Sequence, residues 1–375
     1  MELSLFKKKF LSCVIAGFTV LSISGCGGGS SSQNSADAKT VESATLAVKN
    51  YSIQPKLDST IDYTKGKPKK LIIATDGAED RVDGLLVHYL ADEINAITKG
   101  RLNLDIFFNG SMGTDTELCE GCQEGDVAFF LGSTAFTGNF VKELSAIDLP
   151  FLYADVKQFR STMDDQDIQN SYGPKYIKNG FELLGYFDQG MREMTTNIKV
   201  QSPADIKGQK IRVMENPLHI AIWEAMGANP TPMAFSEVYM ALQQGTIDAQ
   251  ENPFENIYAN RIYEQQKYVI LTNHLPAAHN LLISKKIMDS LSATDQELIR
   301  NVSKAAIAYS RQQCDARLDD RINKVKAAGT EIITLSPEVL TQLQQECSSV
   351  YDTARKAYGN EQVELQIKTA NKFKK

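Results

Sequence analysis

The stretch KLIIATDGAEDRVDGLLVHYLADEINAITKGRLNLDIFF, residues 70–108, decides the fold. It opens with KLIIAT, an apolar run of strand length. Val82, Leu86, Leu90, Ile94 and Ile97 then recur at helical spacing, and Gly100 supplies the stop. Leu102, Leu104 and Ile106 alternate, which predicts a second strand. A strand, a helix and a strand in succession predict an α/β architecture with a mostly parallel, helix-covered sheet.

The same alternation continues downstream. Thr114 and Glu117 predict a capping box for a helix ending near Gly125, and VAFFL at 127–131 reads as the next strand. LLGYF at 183–187 and QKIRVM at 209–214 read likewise. In PTPMAFSEVYMALQQGTIDAQENP, residues 230–253, Ser236 is expected to cap a helix that Gly245 ends, before a short strand closing on Gln250, Glu251 and Asn252. Thr294 and Glu297 open a long helix running towards Gly329, TEIITL reads as a strand, and Ser336-Pro337 starts the last helical stretch. About 310 residues follow the leader and tether described next, more than one core usually holds, so two lobes are expected.

The N-terminus carries Lys7, Lys8 and Lys9, an apolar run from Phe10 to Leu21, and ISGC ending at Cys26. This resembles a lipoprotein-type signal, residues 1–26, with Cys26 the lipidated residue. Residues 27–66 are expected to form a flexible tether, most clearly in GGGSSSQNSADAKTVESAT at 27–45. The whole chain has 40 basic and 46 acidic residues; without Lys7, Lys8, Lys9 and Glu2 the balance is 37 to 45, a net charge of −8. An acidic body with no basic stripe argues against nucleic acid as a partner.

None of the four histidines falls in a metal-ligand spacing, and no GxSxG elbow, phosphate loop or GxGxxG fingerprint occurs. His88 lies off the apolar face of its helix and is expected at the surface. Cys119 and Cys122 form a CxxC, which could mark a redox site. Their place inside a helix, on the face shared with Leu118, favours small buried residues instead. Cys314 and Cys347 are candidates for a disulfide between two C-terminal helices. Arg192 and Arg212 stand at or in strands, where an outward solvated arginine is the ordinary state. A guanidinium can also hold a carboxylate with two parallel hydrogen bonds, and Asn252 at a strand end could donate to the same group. Spacing alone leaves both readings open.

The pieces GxRxxT at 190–195, KIRV at 210–213, NPTPMAFSEVY at 229–239 and DAQENP at 248–253, in this order, closely resemble the extracytoplasmic solute-binding proteins of tripartite ATP-independent periplasmic (TRAP) transporters, the DctP family. GRLNLDIFFNGSMGTD at 100–115, LSAIDLPFLY at 144–153 and LSATDQELI at 291–299 extend the resemblance from Lys70 to about Gly329. It implies a two-lobed periplasmic binding protein fold, with a cleft between the lobes and a long bracing C-terminal helix. Lobe I would take residues 67–189 with a returning segment at about 278–317, and lobe II residues 190–277 with C-terminal segments at about 318–375. The function implied is capture of a carboxylate-containing small molecule outside the cytoplasm and delivery to membrane permease subunits. No catalysis, cofactor or metal is expected; the QENP strand speaks against the metal-assisted binding of some relatives.

Residue by residue, the resemblance implies that Arg212 makes the main two-pronged bond to the ligand carboxylate, with Arg192 a second cationic contact. Asn252 would join them and Phe235 would form a wall or latch. From the other lobe, Asp115 and Asp76 would face the cleft. Sialic-acid-binding members carry a glutamate and an arginine where Ser133 and Phe136 stand, which implies a different, smaller or less polar acid here. A ligand-sensing lipoprotein of the same fold is the alternative function, and a redox or hydrolytic lipoprotein is a third reading.

Overall fold

The computed structural model describes residues 51–374, which belong to one compact unit. The expected signal and Cys26 lie outside the described residues, as does most of the expected tether. Among the described residues nine strands form one sheet, in the order β2 (Leu102–Phe107), β1 (Lys69–Ala74), β3 (Phe129–Ser133), β8 (Tyr268–Ser284), β4 (Phe181–Thr196), β7 (Ala249–Asn252), β5 (Lys210–Val213) and β6 (Asn229–Pro232), with β9 (Glu331–Thr334) added against β8. The opening stretch folds as its pattern predicts: β1 is Lys69–Ala74, a helix spans Val82–Thr98, and β2 is Leu102–Phe107, parallel to β1. Lys99 and Gly100 both take positive φ where that helix ends. β3, Phe129–Ser133, lies parallel to β1 on its other side.

The centre of the sheet departs from the parallel expectation. β4, Phe181–Thr196, and β8, Tyr268–Ser284, are long, antiparallel to each other, and run from one half of the molecule into the other. Their register shifts between Asp188 and Met191, where Gly190 has φ +101°, so the ladder bends at the point of crossing. Beyond it β7, Ala249–Asn252, pairs antiparallel with β4. β5, Lys210–Val213, then lies parallel to both β7 and β6, Asn229–Pro232. β9, Glu331–Thr334, runs parallel to β8.

Two main apolar clusters lie to either side of this crossing. One gathers Leu71, Ile73, Leu86, Leu90 and Phe129 with Leu298, Val302 and Ala306. The other gathers Ile211, Val213, Ile222, Trp223, Ile270 and Val350. The helix Ala293–Ala327 serves the first through Leu298 and Val302, and near its far end Val325 packs with Val238, Ile247 and Ile257. At about 1.5 Å per residue it is roughly 50 Å long, enough to brace both halves.

Several local expectations need correcting. Residues 51–66 are not free tether: Tyr51 and Tyr63 are buried, Tyr51 donates to Asp92 at 2.6 Å, and Tyr89 donates to the Ile53 carbonyl at 2.7 Å. Tyr51, Ile53, Leu57 and Ile61 give this segment an apolar edge that residues 27–45 lack. The long helix is capped by Ser292, which accepts from the Asp295 amide, so Thr294 lies within its first turn. Ser236 caps nothing; a 3₁₀ turn at Phe235–Glu237 precedes the helix Val238–Gln243. The last helix, Asn360–Lys372, sits against the helices Val156–Met163 and Gln166–Lys178 of the first half, with Gln158 donating to Ala370 and Tyr172 to Gln366. Its Val363 joins the second apolar cluster, so this helix touches both halves. His88 is half-buried and bonded to Glu79 at 2.8 Å.

Candidate functional site

The ends of β1, β3, β5 and β7 and the crossing point of β4 converge on one narrow cavity of about 20 Å³, lined by Asp76, Arg81, Asp115, Ser133, Phe136, Arg192, Arg212, Met214, Phe235, Asn252, Asn256 and His279. All eight ligand residues expected from the sequence are among them. The volume is far below the roughly 300–1,000 Å³ typical of ligand sites, so the walls stand nearly closed on each other. Asp76, Asp115, Phe136 and Phe235 also border a larger trough that leads outward past Asn109, Glu117, Glu215 and Tyr239.

One wall is built on strands. In β5, Ile211 and Val213 point into the core and Arg212 points the other way, as alternation requires. Its Nε and Nη2 donate to the Met233 carbonyl at 3.0 and 2.8 Å, which fixes the guanidinium plane. Burial pushes its pKa down to about 10, so it stays charged at neutral pH. Phe235 lies beneath it, 5.6 Å from ring centroid to Arg212 Cζ. In β7, Gln250 donates to Thr195 at 2.8 Å and Asn252 to Gln250 at 2.6 Å, while Asn256 donates to Asn252 at 2.9 Å. Asn252 is thus locked in place with its other Nδ2 hydrogen still to give.

Arg192 reaches the cavity with its charge already matched. It donates to Glu251 Oε2 at 2.5 Å, to Oε1 at 2.9 Å, to the Glu251 carbonyl at 2.8 Å and to Asn252 Oδ1 at 3.3 Å. Although burial works against a charge on Glu251, Arg192 and His274 hold its carboxyl well below the usual range. This ion pair orients Asn252 from behind.

The opposite wall is built on turns and helix starts. Asp76 follows β1, and Asp115 begins the helix Asp115–Glu124, whose Thr114–Glu117 capping box is present. Burial, and then the Asp76 carboxylate, push the Asp115 carboxyl well above its ordinary range. Ser133 ends β3 and accepts from the Ala135 amide, capping the short helix Thr134–Thr137 that carries Phe136. Phe136 meets Met214 across the cavity, and Asn216 donates to the Ala135 carbonyl at 2.8 Å.

Arg81, in the turn DGAEDR, is a lining residue that the sequence reading missed; Asn256 and His279 are others. His279 is buried and its pKa falls to about 4, so it lines the site as a neutral ring. A charged turn reads as solvated surface, and only the fold reveals that Arg81 is turned inward. Gly77 makes that possible, since a Cβ there would collide with Asp83 and lie 3.2 Å from Arg81 Cζ.

The remaining candidates lie elsewhere. Cys119 and Cys122 are buried in their helix and burial pushes both thiols up, the opposite of a reactive pair. Cys314 meets Asp188 and Cys347 the Ile222 carbonyl, so they do not pair. Among the described residues no His, Cys, Asp and Glu cluster suits a metal ion, and no helix is long and apolar enough to cross a membrane.

The model of the bacterial extracellular solute-binding proteins of family 7, DctP, matches residues 73–357. A solute-binding protein of Verminephrobacter eiseniae (strain EF01-2) is 33% identical over 257 residues, 68% of this chain and 76% of its own. The 2,3-diketo-L-gulonate-binding periplasmic protein YiaO of Escherichia coli (strain K12) is 33% identical over 256 residues, 66% of this chain and 76% of its own. The crystal structure of the sugar acid binding protein of Advenella mimigardefordensis in complex with galactonate superposes with a TM-score of 0.80 at 27% identity, covering 83% of this chain and 100% of that one. The chain is a member of the DctP family, an extracytoplasmic solute-binding protein of the TRAP type and not an enzyme.

Proposed function

We propose that the protein captures a small carboxylate in the cavity beneath Phe235 and hands it to the membrane permease subunits of a TRAP transporter. The observation that carries this is Arg212: a buried, charged guanidinium whose Nε edge is fixed by Met233 while the remainder lines the cavity. Such a group is preorganised to take a carboxylate on its other nitrogens. Asn252 supplies a further donor, Arg192 supports it, Phe235 and Phe136 wall the site, and Ser133, Asp76 and Asp115 face the rest of the ligand. The 2,3-diketo-L-gulonate and galactonate bound by the relatives are both hydroxylated carboxylates, in keeping with this reading. Lobe I, 67–189 with about 278–317, would close on lobe II, 190–277 with about 318–375, by bending at the β4–β8 crossing. Cys26 would be lipidated and hold the protein at the membrane.

A test is thermal unfolding against a panel of mono- and dicarboxylates, sugar acids and aromatic acids. A true ligand at a hundred times its dissociation constant adds about 2.7 kcal/mol, a shift of a few degrees. Arg212→Ala is expected to weaken that ligand by about 2–5 kcal/mol, and Arg212→Lys to recover only part of the loss, because an ammonium lacks the fork. Undiminished binding to Arg212→Ala in calorimetry would overturn the assignment.

A further inference from the structure

A third cation at the cavity has unused donors. Arg81 is 2% exposed, yet its Nε and Nη1 make no hydrogen bond within the protein. Its Nη2 pairs with Asp83 at 3.1 Å and reaches Gln189 at 3.4 Å, and Nη1 stands 3.9 Å from Asp76. A buried guanidinium left this short of partners is costly unless something else satisfies it. Beside it Asp115 Oδ1 is also buried and without a hydrogen-bond partner. Arg81 Cζ lies 6.0 Å from the Phe235 centroid, so the ring that faces Arg212 faces Arg81 as well.

We propose that Arg81, Asp76 and Asp115 form a second subsite that reads hydroxyl groups on the ligand's tail, so that the preferred ligand is a hydroxylated monocarboxylate. The inference rests on the carboxylate being held at Arg212. The charge arrangement chooses between a hydroxylated tail and a second carboxylate. Asp83 already balances Arg81, and Asp76 adds a further carboxylate beside it, so a second carboxylate on the ligand would meet an acid with no cation left to match it. A hydroxyl meets no such conflict: it accepts from Arg81 Nε or Nη1 and donates to a carboxyl oxygen of Asp76 or Asp115. An alkyl tail would leave all of these groups unsatisfied. Losing the polar groups of the sialic-acid binders at Ser133 and Phe136 is thereby offset from a different turn, and the less polar acid expected from those two positions gives way to a polar one.

The test is titration calorimetry with length-matched acids: four- to six-carbon aldonates, the corresponding dicarboxylates succinate to adipate, and the hydroxyl-free butyrate to hexanoate. At least one aldonate is expected to bind about tenfold or more tighter than the dicarboxylate and the alkanoate of its length. Arg81→Gln should weaken that aldonate by about 10- to 100-fold and leave the alkanoate within about threefold. Asp76→Asn, at a partly exposed position where folding is not at stake, should narrow the aldonate preference over the dicarboxylate by about tenfold. A dicarboxylate or alkanoate that binds as tightly as every aldonate overturns the inference and leaves the carboxylate reading standing. So does an Arg81→Gln loss equal for aldonate and alkanoate. If no acid of any class binds, the carboxylate reading fails and the tail subsite fails with it.

Discussion

Arg192 and Arg81 are equally buried, both 2% exposed, and line the same cavity from opposite walls. Arg192 sits on the strand wall and spends its Nε and Nη2 on Glu251 and Asn252. Arg81 sits on the turn wall with two nitrogens unused. Burial of a charge therefore does not identify a ligand contact; the number of donors left after the protein's own acceptors are counted does. The strand wall presents a fixed anchor behind which charge is already neutralised, and the turn wall presents open valences.

The largest effect that could break this contrast is on stability without ligand. Arg192→Met strands Glu251 and is expected to cost about 3–5 kcal/mol in chemical denaturation. Arg81→Met should cost clearly less, because Asp83, whose carboxyl burial already pushes up, can take a proton when its partner goes. Equal losses would mean that Arg81 is as structural as Arg192.

A next test uses the neighbour of Arg192 on β4. Glu193 points to the other face, is buried, and accepts from the Asn273 amide at 2.9 Å. Burial pushes its carboxyl up to about 8. Since the folded protein holds this proton more tightly than the unfolded chain, the stabilisation is full below the ordinary carboxyl range and is lost as pH rises towards 8. Glu193→Gln, which needs no proton, should match the wild type near pH 4 and exceed it by several kcal/mol at pH 9. A pH-independent difference would show that Glu193 is ionised and solvated in the fold. The smallest effect belongs to the turn wall: Thr114→Ala removes the cap that presents Asp115 and should cost about 1 kcal/mol in thermal unfolding.

The two walls also differ in how far they could be read from sequence. The strand wall was legible in its placement, because Arg212 alternates with Ile211 and Val213 and Asn252 ends a strand after a glycine stop; that these residues face a ligand came from the family resemblance, since spacing left a solvated arginine equally open. The capping box at Thr114 and Glu117 and the unit from Lys69 to Phe107 were legible from pattern in the same way. Arg81 was not, since a turn of charged residues has no period and its inward direction depends on Gly77 giving way. The long antiparallel β4 and β8 were hidden by GYFDQGMRE, whose polar and glycine positions break the strand signal where the chain crosses between halves. Ser236 and Thr294 failed as caps because each lies inside the turn it was expected to open. Nothing periodic marked the docking of residues 51–66, which depends on Tyr51, Ile53, Leu57, Ile61 and Tyr63 finding a surface made by distant residues.

The most direct measurement is a crystal structure of the protein with the acid that most raises its unfolding temperature. The account predicts the carboxylate on the nitrogens of Arg212 not used by Met233, Arg192 still paired with Glu251, and a tail hydroxyl within hydrogen-bond distance of Arg81. A carboxylate seated on Arg81, or an Arg192 that leaves Glu251 to take it, would contradict the account.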